Sequence, residues 1–224
     1  MKHFSVFSAD EAYQVKKVVN EEATVLIMGM MEKSQIEWAV RNGVEFYVFD
    51  LSRLKAAVSA SIRTGKRAVV HIEVETGLNR TGFNSEELEN VVRLLKANPD
   101  NIEFKGLCTH FAGAECISNY FRIMSQLKVF RKMHKYLLEN GLNPQVLHTA
   151  CSAAAVRYPS TRMEMVRVGI MQYGFWPNTE TYISYTAKRK KRINPLKRIL
   201  SWKSSQLNYE LLTRLPENIR RIVI

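Results

Sequence analysis

Four short stretches of this chain carry side chains able to move protons or hold anions, and each follows an apolar run. The first is His71-Ile-Glu-Val-Glu-Thr-Gly-Leu-Asn-Arg80. On a strand, Val70, Ile72 and Val74 fall on one face and His71, Glu73 and Glu75 on the other. Thr76-Gly77 ends that strand, Arg80 follows, and Gly82 permits a second tight turn. The other three stretches are Thr109-His110, His148-Thr-Ala-Cys-Ser152 and Arg167-Val-Gly-Ile170. Taken singly, each has an ordinary reading: a structural histidine, a helix cap at Ser152, a surface charge at Arg167. Four of them at the same end of one sheet make a site. Ser152 begins a short Ala-rich turn, so its hydroxyl and the N–H groups after it face outward. Gly169 and Ile170 add two N–H groups at the next strand end. The pair forms a phosphate cradle. No Gly-x-Gly-x-x-Gly or Walker-type motif occurs, which disfavours a dinucleotide or a nucleoside triphosphate. A phosphorylated cofactor or sugar is favoured.

Strands alternating with helices must position these groups. Apolar runs predict strands at Phe4–Phe7, Val25–Met28, Val44–Phe49, Arg67–Val74, Ile102–Thr109, Val146–His148 and Met165–Val168. Between them lie helices with legible ends. Ser8 caps one, with Glu11 at capping-box spacing. Lys33 to Arg41 stops at Asn42-Gly43. Asp50 or Ser52 opens a helix that Thr64-Gly65 ends. Ser85 caps a fourth, and about Ser118 to Glu139 forms a longer fifth. Such alternation predicts a parallel α/β sheet. Without a reversal of pattern it predicts a (β/α)8 TIM-type barrel, with chemistry beyond the strand C-termini. A complete barrel has eight strands, so the first is missing from the expected set. The barrel is expected over residues 1–195, and residues 196–224 as a linker and the first strand of a C-terminal β domain.

Composition narrows the function classes. The chain has 224 residues, 46% hydrophobic and 24% charged, within the globular range. No apolar run reaches the ~20 residues that span a bilayer. Three cysteines, Cys108, Cys116 and Cys151, are too few and too scattered for a disulfide framework or a metal site, and read as reduced thiols of a cytoplasmic protein. The net charge is +12. Seven of those charges fall in the eleven residues from Lys188 to Arg198, without interleaved aromatic rings, so the excess is local and weighs against a nucleic-acid platform.

The same stretches carry a resemblance. His71 to Phe83, Gly106-Leu-Cys-Thr-His-Phe-Ala112, His148-Thr-Ala-Cys-Ser-Ala-Ala154 and Val166-Arg-Val-Gly-Ile-Met-Gln-Tyr-Gly174 look like motifs of the alanine racemases, in the family's order and over roughly residues 3 to 208. That family joins a barrel binding pyridoxal 5'-phosphate (PLP) to a β domain. It forms head-to-tail dimers and interconverts L- and D-alanine, the latter for peptidoglycan. The resemblance implies that Ser152, Gly169 and Ile170 hold the PLP phosphate and that Arg167 faces the pyridine nitrogen. It implies His110 in the network behind Arg167, Arg80 on the phenolic oxygen and the substrate carboxylate, and Met28 lining the pocket. Glu73 stands where members often carry a carboxylated lysine, and is expected to orient Arg80. Cys151 stands where Asn is usual.

The resemblance also implies two catalytic bases. One is a Schiff-base lysine in a Val-Val-Lys-Ala-Asn-Ala-Tyr-Gly-like motif on the first barrel strand; the other is a tyrosine of the β domain. Neither motif occurs here, and the tail from about Tyr209 does not match. The expectation is therefore a racemase chain truncated at both ends, binding cofactor without moving protons. Two other readings are a broad-specificity amino-acid racemase or non-catalytic PLP barrel, and a basic nucleic-acid-binding protein.

Overall fold

The computed structural model describes residues 2–187, 189–191, 193–201 and 203. Six strands form one sheet in which spatial order equals sequence order: β1 (His3–Val6), β2 (Thr24–Ile27), β3 (Glu45–Val48), β4 (Ala68–Glu73), β5 (Ile102–Cys108) and β6 (Val146–His148). Every neighbouring pair is parallel. The connections are helical: α1 (Ala9–Lys16), α2 (Lys33–Arg41), α3 (Leu51–Thr64), α4 (Leu88–Ala97) and α5 (Tyr120–Glu139), with α6 (Ser152–Arg157) and α7 (Thr179–Thr186) after β6. The sheet curls into part of a (β/α) barrel. No helix among the described residues is long and apolar enough to cross a membrane.

Local chemistry accounts for the helix ends. Ser8 Oγ accepts from the Glu11 N–H at 3.2 Å, and Asp50 Oδ1 from the Arg53 N–H at 2.8 Å. Gly65 ends α3 in the left-handed region, φ +66°, where a side chain would be strained. One cap differs from expectation. Asn84 rather than Ser85 organises the entry to α4, its Oδ1 accepting from the N–H groups of Glu86 and Glu87. Asn sits one residue earlier, and its carbonyl reaches the two N–H groups that follow.

Two layers pack on the sheet. Outward-facing Val25, Ile27, Phe46, Val48, Val70, Ile72 and Val74 meet Ile36, Val40, Leu54, Ala57 and Val91 of the helices, all buried. Each fully buried Val or Ile contributes about 1.5–3 kcal/mol through the hydrophobic effect, so this layer holds the barrel wall. The inward face is different. Leu26, Tyr47, Phe49 and Cys108 form a small apolar cluster there, with Met28 and Met165 against it. Beside it on the same face sit buried His71, Glu73 and His148.

The expected seventh strand is reduced. Met165–Val168 makes a single parallel bridge, Cys151 to Arg167, and two ladder-like bonds: Met165 N–H to Leu147 O at 3.3 Å and Arg167 N–H to Ala150 O at 2.9 Å. The β6 segment it lies against is only three residues long and turns at once into the loop before α6, so no regular ladder can propagate. Of the expected C-terminal strand, residues 196–201 and 203 are irregular, and 204–224, with the non-matching tail, lie outside the described residues.

Strand β1 pairs only with β2 among the described residues, leaving one edge of its backbone unpaired. The purified chain is therefore expected to self-associate with increasing concentration. Sedimentation velocity over roughly a hundredfold concentration range checks this; a single monomeric species throughout would contradict it.

Candidate functional site

The polar groups gather where β4, β5 and β6 end. Arg167 lies at the centre. Its Nη1 donates to His148 Nδ1 at 2.8 Å and to the His148 carbonyl at 2.7 Å. Its Nη2 donates to the carbonyls of Thr109 at 2.8 Å and Thr149 at 3.3 Å. A guanidinium carries five N–H hydrogens. Four are engaged by these bonds, and the Nε–H has no partner among the described residues. Burial works against the Arg167 charge, while Glu73 nearby is among the groups that favour it.

Behind Arg167 runs a chain of rings. His148 Nε2 is 2.8 Å from His71 Nδ1, and His71 Nε2 is 2.9 Å from Glu45 Oε2. Both histidines are 2% exposed or less. Burial first, then the Arg167 charge, pushes the His148 pKa well below the ordinary imidazole value. Tyr47 lies against both rings, with centroids 6.4 Å from His71 and 5.8 Å from His148. Gly106 makes the approach possible, because a Cβ there would collide with the His71 ring.

The loop after β4 is held by two carboxylates. Glu75 accepts from four successive backbone N–H groups: Gly77, Leu78 at 2.7 Å, Asn79 at 2.9 Å and Arg80 at 3.3 Å. Burial opposes its ionised form, but those N–H groups outweigh burial and hold its pKa below the usual carboxylate value. Glu73 accepts from the Thr81 hydroxyl at 2.7 Å. Phe83 then returns to bond the backbone of Glu73 and Glu75, a path that needs Gly82 at φ +118°.

Two expected contacts are therefore made differently. Glu73 bonds Thr81 rather than the Arg80 side chain; a direct partner at Arg80 is its backbone N–H on Glu75. The Arg80 side chain is exposed, because the loop turns outward past Asn79. The ring bonded to Arg167 is His148, not His110. His110 stands in the field of Arg167 and Arg80, and burial with those two charges lowers its pKa to about 4.

At the next strand end, Gly169 N–H donates to Ser152 Oγ at 3.0 Å, tying two segments of the expected cradle together. Ile170 opens a 3-10 turn, Ile170–Tyr173, with its side chain exposed. Met28 reaches the inner cluster from the end of β2. The sequence-predicted groups from β2, β4, β6 and the 165–170 segment thus share one end of the barrel.

A profile for the alanine racemase N-terminal domain matches residues 1–177. The chain belongs to the alanine racemase N-terminal domain family. It is 29% identical over 203 residues to alanine racemase 1 of Oceanobacillus iheyensis, covering 91% of this chain and 51% of that protein. Its fold is similar to that of the Clostridium difficile alanine racemase solved in complex with cycloserine, with a TM-score of 0.77 at 25% identity, covering 88% of this chain and 52% of that one. It is also similar to the Bacillus anthracis alanine racemase solved with bound L-Ala-P, with a TM-score of 0.71 at 29% identity, covering 79% of this chain and 45% of that one. The chain spans about half the length of the curated relatives it matches.

In this racemase-family domain, sequence reading passes over Glu45 and Tyr47. Both lie in Val44-Glu-Phe-Tyr-Val48, a nearly apolar strand in which one acidic residue looks like a solvated strand start. Only the pairing of β3 with β4, which sets Tyr47 beside His71, brings them to the inner face.

The pKa shifts fix a pH dependence. His110, His148 and Glu75 have folded-state values below their unfolded ones. Their stabilisation is complete above the unfolded values and is lost as pH falls towards the folded ones. Glu73 is shifted up by burial, so it works the other way: its contribution is complete below the unfolded value and lost as pH rises through the folded one. Three groups oppose one, and the urea midpoint is expected to fall from pH 7 to pH 4. A flat or rising midpoint would contradict this. A second expectation concerns packing. Gly106→Ala should lower stability by about 1–3 kcal/mol by displacing the His71 ring, read from the same urea curves.

Proposed function

We propose that this chain is the PLP-binding barrel of an alanine racemase, and that the whole protein interconverts L- and D-alanine as a homodimer. The observation that carries the reading is Arg167: a fixed cation with four hydrogens engaged and one N–H without a partner among the described residues, beside the Ser152–Gly169 pair. These residues fit the cofactor. The Ser152 hydroxyl and the Ile170 N–H would take its phosphate, with the Gly169 N–H joining them on exchanging Ser152 Oγ for a phosphate oxygen. Arg167 would meet the pyridine nitrogen, Arg80 the phenolic oxygen and the substrate carboxylate, and Met28 the pocket wall.

When bound, PLP supplies an electron sink for a carbanion at the amino-acid Cα. Arg167 tempers that sink. A guanidinium keeps its proton at any physiological pH, so it would donate a hydrogen bond to the ring nitrogen without protonating it. Beside such a cation the bound group would supply a weaker sink, which would favour return of a proton at the same carbon over transfer elsewhere. His110, neutral because burial and two cations depress its pKa, adds no competing proton donor at neutral pH. Glu75 and Glu73 hold the backbone of the loop that carries Arg80, from which its exposed side chain would reach the substrate carboxylate. Racemisation needs a base on each face of Cα. The reading gives this chain binding and orienting roles, and assigns those bases to a lysine and a tyrosine outside these residues.

Two outcomes follow. The purified chain is expected to bind PLP, seen as a shift of its phosphate resonance in 31P NMR, while converting no L-alanine to D-alanine in a chiral assay. Measurable turnover would overturn the division of roles, and an unmoved resonance at saturating protein would overturn the cofactor reading. Ser152→Ala should weaken binding roughly tenfold, the loss of one hydrogen bond to a charged group.

A further inference from the structure

We propose that Glu45 is a positioning residue that orients the Arg167 guanidinium from the far end of the barrel interior, through His71 and His148. The significance for PLP rests on the reading above; the relay itself does not.

Arg167 only donates, so His148 Nδ1, 2.8 Å from Nη1, must be a lone pair. A neutral His148 then carries its hydrogen on Nε2, and donates to His71 Nδ1 at 2.8 Å. His71 Nδ1 is therefore also a lone pair, its hydrogen is on Nε2, and that hydrogen goes to the Glu45 carboxylate at 2.9 Å. One assignment of protons satisfies all three bonds: both rings neutral, both Nε2–H, all pointing from Arg167 towards Glu45. A donor-only group at one end and an acceptor-only group at the other fix the direction of everything between.

The chain also traverses the barrel. Arg167 lies at the C-terminal ends of β5 and β6, against the carbonyls of Thr109 and Thr149. His148 is the last residue of β6, and Glu45 the first of β3. Escape by ring rotation is blocked. Tyr47 packs on both imidazoles, and Gly106 lies directly against His71.

Removing the acceptor at Glu45 would leave a buried N–H on His71 without a partner. Moving that hydrogen to Nδ1 relieves it but sets two donors face to face between the rings. His148 must then reverse too, which places an N–H against Arg167 Nη1. The defect travels to the guanidinium, which loses its imidazole acceptor, meets an N–H at Nη1 in its place, and is held by its three carbonyl bonds alone.

The test uses the full ligand-free chain and two substitutions. Long-range 15N–1H correlation spectra report which imidazole nitrogen carries hydrogen. Wild type is expected to show Nε2–H at both His71 and His148. Glu45→Leu should convert at least one ring to Nδ1–H, whereas Glu45→Gln, which keeps an acceptor oxygen, should retain the wild-type pattern. A folded Glu45→Leu protein with both tautomers unchanged overturns the relay. So does a wild-type Nδ1–H at either ring, which decides the matter even if the leucine variant does not fold. PLP titration is the second arm. Glu45→Leu should bind roughly tenfold more weakly and Glu45→Gln as wild type. Equal PLP affinity in Glu45→Leu overturns the positioning role and leaves the cofactor reading standing. No binding by wild type overturns the cofactor reading, and the tautomer arm then judges the relay alone.

Discussion

A guanidinium set inside a barrel must find acceptors for its hydrogens, because a buried donor without one costs more than a typical hydrogen bond contributes. Most of the polar arrangement here answers that demand. Two strand-end carbonyls and the backbone and ring of His148 take four of the Arg167 hydrogens. The carbonyls are available because β5 and β6 end there, and the ring because His148 is the last residue of its strand. His148 in turn needs an acceptor for its remaining hydrogen, which places His71; His71 needs one as well, which places Glu45. Glycine at position 106 and the aromatic wall of Tyr47 follow from the need to seat two imidazoles side by side. This part of the inward face is therefore polar by necessity, and the cost of burying it is offset by pairing of the Arg167 Nη hydrogens and both imidazoles, while the Arg167 Nε–H and the Tyr47 hydroxyl have no partner among the described residues.

The loop that carries Arg80 solves a related problem with the signs exchanged. Glu75 collects four consecutive N–H groups that a tight turn would otherwise leave unpaired. The carboxylate acts as the keystone of the turn, and Gly77 and Gly82 supply the backbone angles it requires. Glu73, one pleat away, ties the returning segment through Thr81. The site thus combines a cation ringed by carbonyls with an anion ringed by amides.

Much of this was legible in the residues. The strand and helix alternation, the outward apolar faces and the caps at Ser8 and Asp50 follow from patterns of two and of 3.6 residues and from the chemistry of helix ends. The clustering of polar strand ends was legible too, because parallel strands place their C-termini together. Partner choice was not. That Arg167 bonds His148 and not His110, or that Glu73 meets Thr81 and not the Arg80 side chain, depends on side-chain direction across neighbouring strands. Strand register decides it, and a one-residue shift would exchange inward and outward faces. Glu45 was hidden for the same reason. The shortness of the final pairing segment at Met165–Val168 was equally invisible, because it depends on how soon β6 turns away and not on the apolar content of its partner.

The coincidence of spatial and sequence order in the sheet bears on how the chain reaches this state. Each strand docks on the one made just before it, with a single helix between. No segment waits for a distant partner, and none threads past another. Such a chain can assemble from its N-terminus as it leaves the ribosome, one strand–helix unit at a time, each burying the apolar face that its predecessor left open. The buried polar chain closes last. Glu45 and His71 are laid down early, His148 and Arg167 only with β6 and the segment after it, so the direction of the interior hydrogen bonds is set after the sheet has formed rather than with its first strands.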